Sequence, residues 1–177
     1  MKKALSILLS VLLLLSVFPF GVVDFTANAE TSGYYTYTIS NGKATITDVD
    51  TAISGAVTVP TKLGNCDVVA IGSNAFNACS SVKSVVLPET VTSIGAYSFY
   101  DCSMASINIP EAVTTIGSYA FFSTNIKTLT IPKNVTSIGS GVVDGCHYIT
   151  AVNVDSANSK YSSVDGVLFS KDKTKNY

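Results

Sequence analysis

The sequence predicts a mainly β solenoid: coils of about 22–23 residues, each with two short strands and one short helical turn, behind an N-terminal β-hairpin cap. Three observations predict it. The pair Ile-Gly recurs at Ile71-Gly72, Ile94-Gly95, Ile116-Gly117 and Ile138-Gly139, at intervals of 23, 22 and 22 residues. Proline precedes the last three pairs in phase, at Pro88, Pro110 and Pro132. Behind the pairs run two further columns, Phe76/Phe99/Phe121/Val143 and Cys79/Cys102/Thr124/Cys146. Several columns in register mean that equivalent residues of successive coils stack on one another.

The chain of 177 residues is long enough for one domain. Its mean hydropathy, +0.39, is raised by the N-terminus. Lys2 and Lys3 precede an apolar run from Ala4 to Val17, Pro19 and Gly21 break it, and Ala27-Asn28-Ala29 supplies a small-x-small pattern. These are the parts of a secretory signal peptide, predicted at residues 1–29 with cleavage before Glu30. Ala4 to Val23 is just long enough to span a bilayer, so an uncleaved anchor is the rival reading. No other segment could span a membrane, so the mature chain has no predicted span.

Cleavage would remove two Lys and one Asp and change the net charge from −1 to −2. All eleven basic residues are Lys. A nucleic-acid binder needs a positive stripe and commonly uses Arg forks on base edges. Neither is present, so no nucleic acid is expected as partner.

Residues 30–56 are predicted as the hairpin cap. Tyr35-Thr36-Tyr37-Thr38-Ile39 and Lys43-Ala44-Thr45-Ile46-Thr47 flank Ser40-Asn41-Gly42, two β-rich runs around Asn-Gly. Residues 57–151 hold four coils. In the first, an insertion around Gly64-Asn65-Cys66 displaces Pro60 from its column. Val82-Val85-Leu87, Met104-Ile107-Ile109, Ile126-Leu129-Ile131 and Ile149-Val152-Val154 follow L-x-x-L-x-L spacing, the strand signature of a leucine-rich repeat. Proline ends that strand. Val-x-x-Ile-Gly then predicts a second strand closed by Gly in a turn, and Ala-Phe-x-x-Cys a helical turn that drops Phe into the core. The fourth coil has Gly141-Val142-Val143 in place of x-Ala-Phe and is expected to pack loosely.

The unit I-x-I-P-x-x-V-T-x-I-G-x-x-A-F-x-x-C resembles the BspA-like leucine-rich repeats of bacterial surface and secreted proteins, over about residues 57–155. Thr124 in the Cys column and the degenerate fourth coil depart from the pattern. The resemblance implies a secreted or cell-surface interaction module, serving adhesion or protein binding. Residues 152–177 read as a C-terminal cap: Tyr161 to Phe169 resembles the Y-x-S-x-D-G-V-L-F segment that follows such repeats. There the chain usually continues with a further strand. Here polar Lys171 to Tyr177 follows, expected to fray, and both a naturally short product and a fragment of a longer one stay open.

No catalytic, cofactor or metal site is predicted. Cys79 and Cys102 fall within disulfide reach on adjacent coils. A column that exchanges Cys for Thr reads instead as a packing ladder of free thiols, with Cys66 outside it and partly exposed. Zinc needs ligands converging on one point, and a spacing near 22 strings them along an axis. His147, the only His, follows Cys146, but chain neighbours point apart. Glu89 and Glu111 lie on one side of the stack with no cleft to hold a glycosidase pair.

The candidate binding residues are aromatic. Tyr97 and Tyr119 share a column with Asn74 and Gly141; Tyr100 and Phe122 share one with Asn77 and Asp144. Columns this variable face outward, so two neighbouring coils would present Tyr97, Tyr100, Tyr119 and Phe122 together, either as a contact for an extracellular protein or glycan or as a rim over the Phe core. The alternative function is accordingly a carbohydrate-binding or cell-wall-associated accessory protein. The other face carries Thr58, Val86, Asn108, Thr130 and Asn153 outward: flat, small and weakly charged.

Overall fold

A computed structural model describes residues 28–177. The predicted signal peptide, apart from its last two residues, lies outside the described residues. Along the chain come β1 (Glu30–Ser32), β2 (Tyr35–Ser40), β3 (Lys43–Val49), β4 (Gly55–Thr58), β5 (Lys62–Leu63), β6 (Cys66–Ile71), β7 (Val82–Val86) and β8 (Ser93–Ile94). Then follow β9 (Ser106–Ile107), β10 (Thr115–Ile116), β11 (Thr128–Ile131), β12 (Ser137–Ile138), β13 (Ala151–Val154), β14 (Tyr161–Val164) and β15 (Val167–Ser170). Among the described residues no helix is long and apolar enough to cross a membrane.

The Ile-Gly column builds one side of a solenoid. Strands β3, β6, β8, β10 and β12 pair in parallel, with Ile46, Ile71, Ile94, Ile116 and Ile138 in register. This sheet has five rungs, one more than the four coils read from the sequence, because β3 of the N-terminal hairpin serves as the first. The hairpin turns at Asn41 (φ 51°) and Gly42 (φ 71°), both left-handed as a tight two-residue turn requires. The insertion in the first coil is a small hairpin too, β5 against β6, with an ion pair of 2.6 Å between Lys62 and Asp67.

The L-x-x-L-x-L strands form the other side, β4-β7-β9 and then β11-β13, all parallel. The ladder is interrupted between β9 and β11. On the other edge of β9, the amide of Asn108 extends the ladder, its Oδ1 accepting from Leu87 N at 2.6 Å and its Nδ2 donating to Leu87 O at 3.1 Å.

The glycines after Ile serve a different purpose from the expected turn. A Cβ on Gly95 would lie 2.5 Å from the backbone N of Ser73, and one on Gly72 2.7 Å from Ile46 O. Gly117 and Gly139 meet the backbones of Ala96 and Ser118 in the same way. Glycine is there because the preceding coil's main chain touches it.

The expected helical turn is a series of β-turns with no helix. Alternate N–H groups leave the coil and donate to the next one: Tyr97 to Ser118 O at 3.0 Å, Phe99 to Ala120 O at 2.9 Å, Asp101 to Phe122 O at 2.9 Å. N–H groups between them close four-residue turns, such as Tyr100 to Tyr97 O at 3.1 Å. A helix would keep every N–H within the coil and leave the next coil's carbonyls unpaired.

Between the sheets lies the core. Phe76, Phe99 and Phe121 are fully buried and stacked, with centroids 5.0 and 5.7 Å apart. Tyr35 closes the stack edge-on at 6.4 Å from Phe76. At the other end Val143 stands in the Phe column, and a hollow of about 260 Å³ lies beside it, lined by Ile149, Val152, Leu168 and Tyr177 among others.

The C-terminal segment replaces a further coil. Asn158 and Tyr161 fall 23 residues after Val135 and Ile138. The buried Asn158 donates to Pro132 O at 2.8 Å and Val135 O at 3.0 Å, while its Oδ1 accepts from the N–H groups of Lys160 and Tyr161 at 2.8 Å. The hairpin β14-β15 follows around Asp165-Gly166. The final residues, expected to fray, turn back instead: Tyr177 N donates to Leu168 O at 3.1 Å, and its ring meets Tyr161 edge-on at 5.4 Å.

Candidate interaction surface

The turn side of the solenoid brings together the four aromatics singled out in the sequence. Tyr97 stacks on Tyr119 with centroids 5.2 Å apart and planes 20° from parallel. Tyr100 stacks on Phe122 at 4.8 Å and 4°. Within each coil the rings also meet, Tyr97 with Tyr100 at 5.8 Å and Tyr119 with Phe122 at 5.9 Å. The result is a two-by-two array. Tyr97 is 39 % exposed, and the other three are half-buried.

The ring separations match the coil spacing of about 4.8 Å. Stacking therefore runs along the solenoid axis, and each ring gives a face to its neighbour. Such pairs contribute about 0.5–1.5 kcal/mol beyond the area they bury.

The backbone beneath the array is left-handed: φ is 56° at Tyr97 and 55° at Tyr119. The same column holds Asn74 (61°) and Gly141 (64°), residue types that tolerate this region. A bulky aromatic there costs about 1–2 kcal/mol. Sequence reasoning placed the rings correctly side by side but had no signal for this strain, since φ follows from the inter-coil hydrogen bonds.

The cysteine column lies beneath, with no disulfide among the described residues. Cys102 Sγ points at Cys79 O at 3.4 Å, and Cys146 Sγ at Phe121 O at 3.0 Å and Thr124 Oγ1 at 3.2 Å. Burial pushes the Cys79 thiol up to about 11 and the Cys102 thiol up to about 12, opposite to what a reactive cysteine needs. Cys66 is half-buried. His147 is exposed whereas Cys146 is buried, so the two do not share a surface. Among the described residues no group of three or more His, Cys, Asp or Glu is placed to hold a metal ion.

On the sheet face Thr58, Val86, Asn108, Thr130 and Asn153 are all exposed. Asn108 spends its amide on the neighbouring strand, which leaves that face fewer free polar groups than the sequence suggests.

Several solved structures share this architecture. A leucine-rich repeat protein from Bacteroides capillosus ATCC 29799 is similar at 26% identity and TM-score 0.61, over 72% of this chain and 98% of the other. The leucine rich repeat protein of T. pallidum matches at 23% and 0.56, over 71% of each chain. A leucine rich cell surface protein from Faecalibacterium prausnitzii A2-165 matches at 21% and 0.47, over 81% of this chain, which spans 58% of that protein's length. No curated protein matches. The model of the BspA type leucine rich repeat region matches residues 62–174 in six copies, well over half of the sequence. With the Ile-Gly, Pro, Phe and Cys columns now seen as the rungs and core of one solenoid, the chain belongs to the BspA type leucine rich repeat family.

Proposed function

We propose that this chain is exported through its N-terminal 29 residues and acts outside the cell or on its surface as a protein-binding module, with Tyr97, Tyr100, Tyr119 and Phe122 as the contact. The observation that carries the reading is the left-handed backbone at Tyr97 and Tyr119. Fold stability alone favours Asn or Gly in that column, as at Asn74 and Gly141. The coils hold Ala78, Asp101 and Ser123 left-handed as well, so the φ belongs to the fold; what is particular to Tyr97 and Tyr119 is a bulky, partly exposed aromatic standing on it where Asn or Gly fits without strain. Tyr anchors protein contacts well because it offers large area with little rotamer entropy and a hydroxyl at the rim.

The same geometry favours a protein over a carbohydrate. A sugar stacks on a free ring face, and these rings spend faces on one another. Adhesion follows if the partner sits on another cell or on extracellular matrix.

The test compares the chain, purified after export, with a Tyr97→Ala/Tyr119→Ala variant on arrays of extracellular proteins and of glycans. Saturable binding to a protein that the variant loses supports the reading. Binding to glycans alone, lost in the variant, transfers the array to the carbohydrate alternative. Equal binding by both forms removes the array from the contact.

A further inference from the structure

The solenoid sorts its charges by side. Five segments run from the Ile-Gly rungs to the L-x-x-L-x-L strands: residues 47–53, of which 47–49 are the end of β3, and the turn segments 72–81, 95–103, 117–125 and 139–148. Together they carry Asp48, Asp50, Asp101 and Asp144, and not one lysine. All four aspartates are exposed, and none is in an ion pair among the described residues. Among the described residues the lysines lie elsewhere: Lys83 and Lys127 at the start of the other strands, Lys62 and Lys133 on the proline side, Lys43 at the hairpin tip, and Lys160, Lys171, Lys173 and Lys175 in the C-terminal segment.

The acidic groups bracket the aromatic array. Asp144 lies one coil beyond Tyr119 and Phe122, and Asp101 follows Tyr100 within the array. At the N-terminal end a hollow of about 440 Å³ is lined by Tyr34, Tyr35, Asp48 and Asp50, among others. Tyr34 is 50 % exposed. A bulge opposite Thr36 and Tyr37 puts one extra residue, Thr47, into β3 beside this hollow; bulges commonly re-aim side chains at the edge of a sheet. From the first to the fifth rung the strip is about 20 Å long, the reach of roughly six extended residues.

We infer that the partner of this face is a protein segment rich in Lys or Arg, lying along the solenoid axis over the tyrosine rims and reaching the aspartates at either end. The inference rests on the array being a protein contact and adds the chemistry of what meets it. Carboxylates beside tyrosines suit a cationic side chain, which gains from both the charge and the ring. An acidic or nucleic-acid partner would meet four unpaired carboxylates of its own sign.

The test uses labelled short peptides of equal length, one alternating Lys and Arg with Gly, one alternating Glu with Gly, and one of Leu and Ser, read by fluorescence anisotropy against the chain purified after export. The basic peptide is expected to bind saturably, to weaken as salt rises, and to lose about tenfold in affinity when Asp48, Asp50, Asp101 and Asp144 are all changed to Asn. Glu89→Gln/Glu111→Gln, on the proline side, should leave binding unchanged. All four Asn changes are isosteric and exposed, and an unchanged thermal midpoint checks the fold. No saturable binding of the basic peptide, or binding that survives the four changes, overturns the inference. If the Leu-Ser peptide binds instead and Tyr97→Ala/Tyr119→Ala abolishes it, the protein contact stands and only its basic character falls.

Discussion

The hydroxyl of Tyr161 accepts a hydrogen bond of 2.8 Å from the backbone N–H of Ile138. In every earlier coil the equivalent strand pairs with the next coil. Here the next coil is missing its strand, and one side-chain oxygen takes the place of a backbone carbonyl. The residue stands at the position of the absent isoleucine, 23 residues on. Tyr161→Phe keeps the ring and leaves the Ile138 N–H buried without a partner, which costs about 1–3 kcal/mol. Asn158→Ala, which removes four hydrogen bonds, should cost at least as much. Urea unfolding together with hydrogen exchange at the Ile138 amide checks this; unchanged exchange in Tyr161→Phe would show that the bond holds nothing.

This end also shows how far the sequence can be read. The rungs, the Phe stack, the Cys column and the Asn41-Gly42 turn follow from local spacing, because equal periods place equal residues on one another. Asn158 and Tyr161 continue the Val and Ile columns with polar atoms, a substitution that extending the 23-residue interval would have exposed. The helical turn was expected because Ala-Phe-x-x-Cys has helix-like spacing over a few residues. What overrides it is non-local: N–H groups of one coil pair with carbonyls about 21 or 22 residues away, which no short window reveals. The same bonds set the left-handed φ at Tyr97 and Tyr119. The aromatic array was therefore legible as a juxtaposition, and its strain was not.

Ser98 carries the one buried side-chain oxygen without a hydrogen-bond partner among the described residues. It occupies a column otherwise filled by Ala75, Ala120 and Val142, all buried. Alanine therefore fits the site. Ser98→Ala removes an orphaned hydroxyl and should stabilise the chain by about 1 kcal/mol. A lower urea midpoint in the variant would mean that the hydroxyl has a partner after all.

Cys79 and Cys102 make the fold sensitive to alkali. The unfolded chain ionises these thiols near their ordinary value of 9, whereas burial holds the folded ones to about 11 and about 12. Above pH 9 the unfolded state has fewer protons than the folded state, so stability falls with rising pH. It is fully present below about 9 and is lost progressively up to about 11 to 12. The hydroxyls of Tyr37 and Tyr161, both raised chiefly by desolvation, act in the same sense above 10. Urea midpoints measured under reducing conditions from pH 7 upward should decline from about 9, and Cys79→Ala/Cys102→Ala should flatten the decline. An identical slope in the variant would assign the effect to other groups.

The strain beneath the aromatic array sets the last expectation. Tyr97→Gly and Tyr119→Gly each relieve a left-handed aromatic, worth about 1–2 kcal/mol. Each also loses ring stacking of about 0.5–1.5 kcal/mol and about 1 kcal/mol from the ring area it half buries, and adds the entropy of a glycine in the unfolded chain, about 0.5–1 kcal/mol. The terms largely oppose, so the double variant should lose about 1–3 kcal/mol over its two sites together. Phe99→Ala, in the fully buried stack one position away from Tyr100, should cost about 3–5 kcal/mol. The contrast separates two roles for neighbouring rings. If the double Gly variant loses no more than that and loses its partner, the tyrosines serve binding, and stability did not select them. If it unfolds as readily as Phe99→Ala, the array belongs to the core, its backbone strain has a structural cause, and the contact must be sought on the polar sheet face.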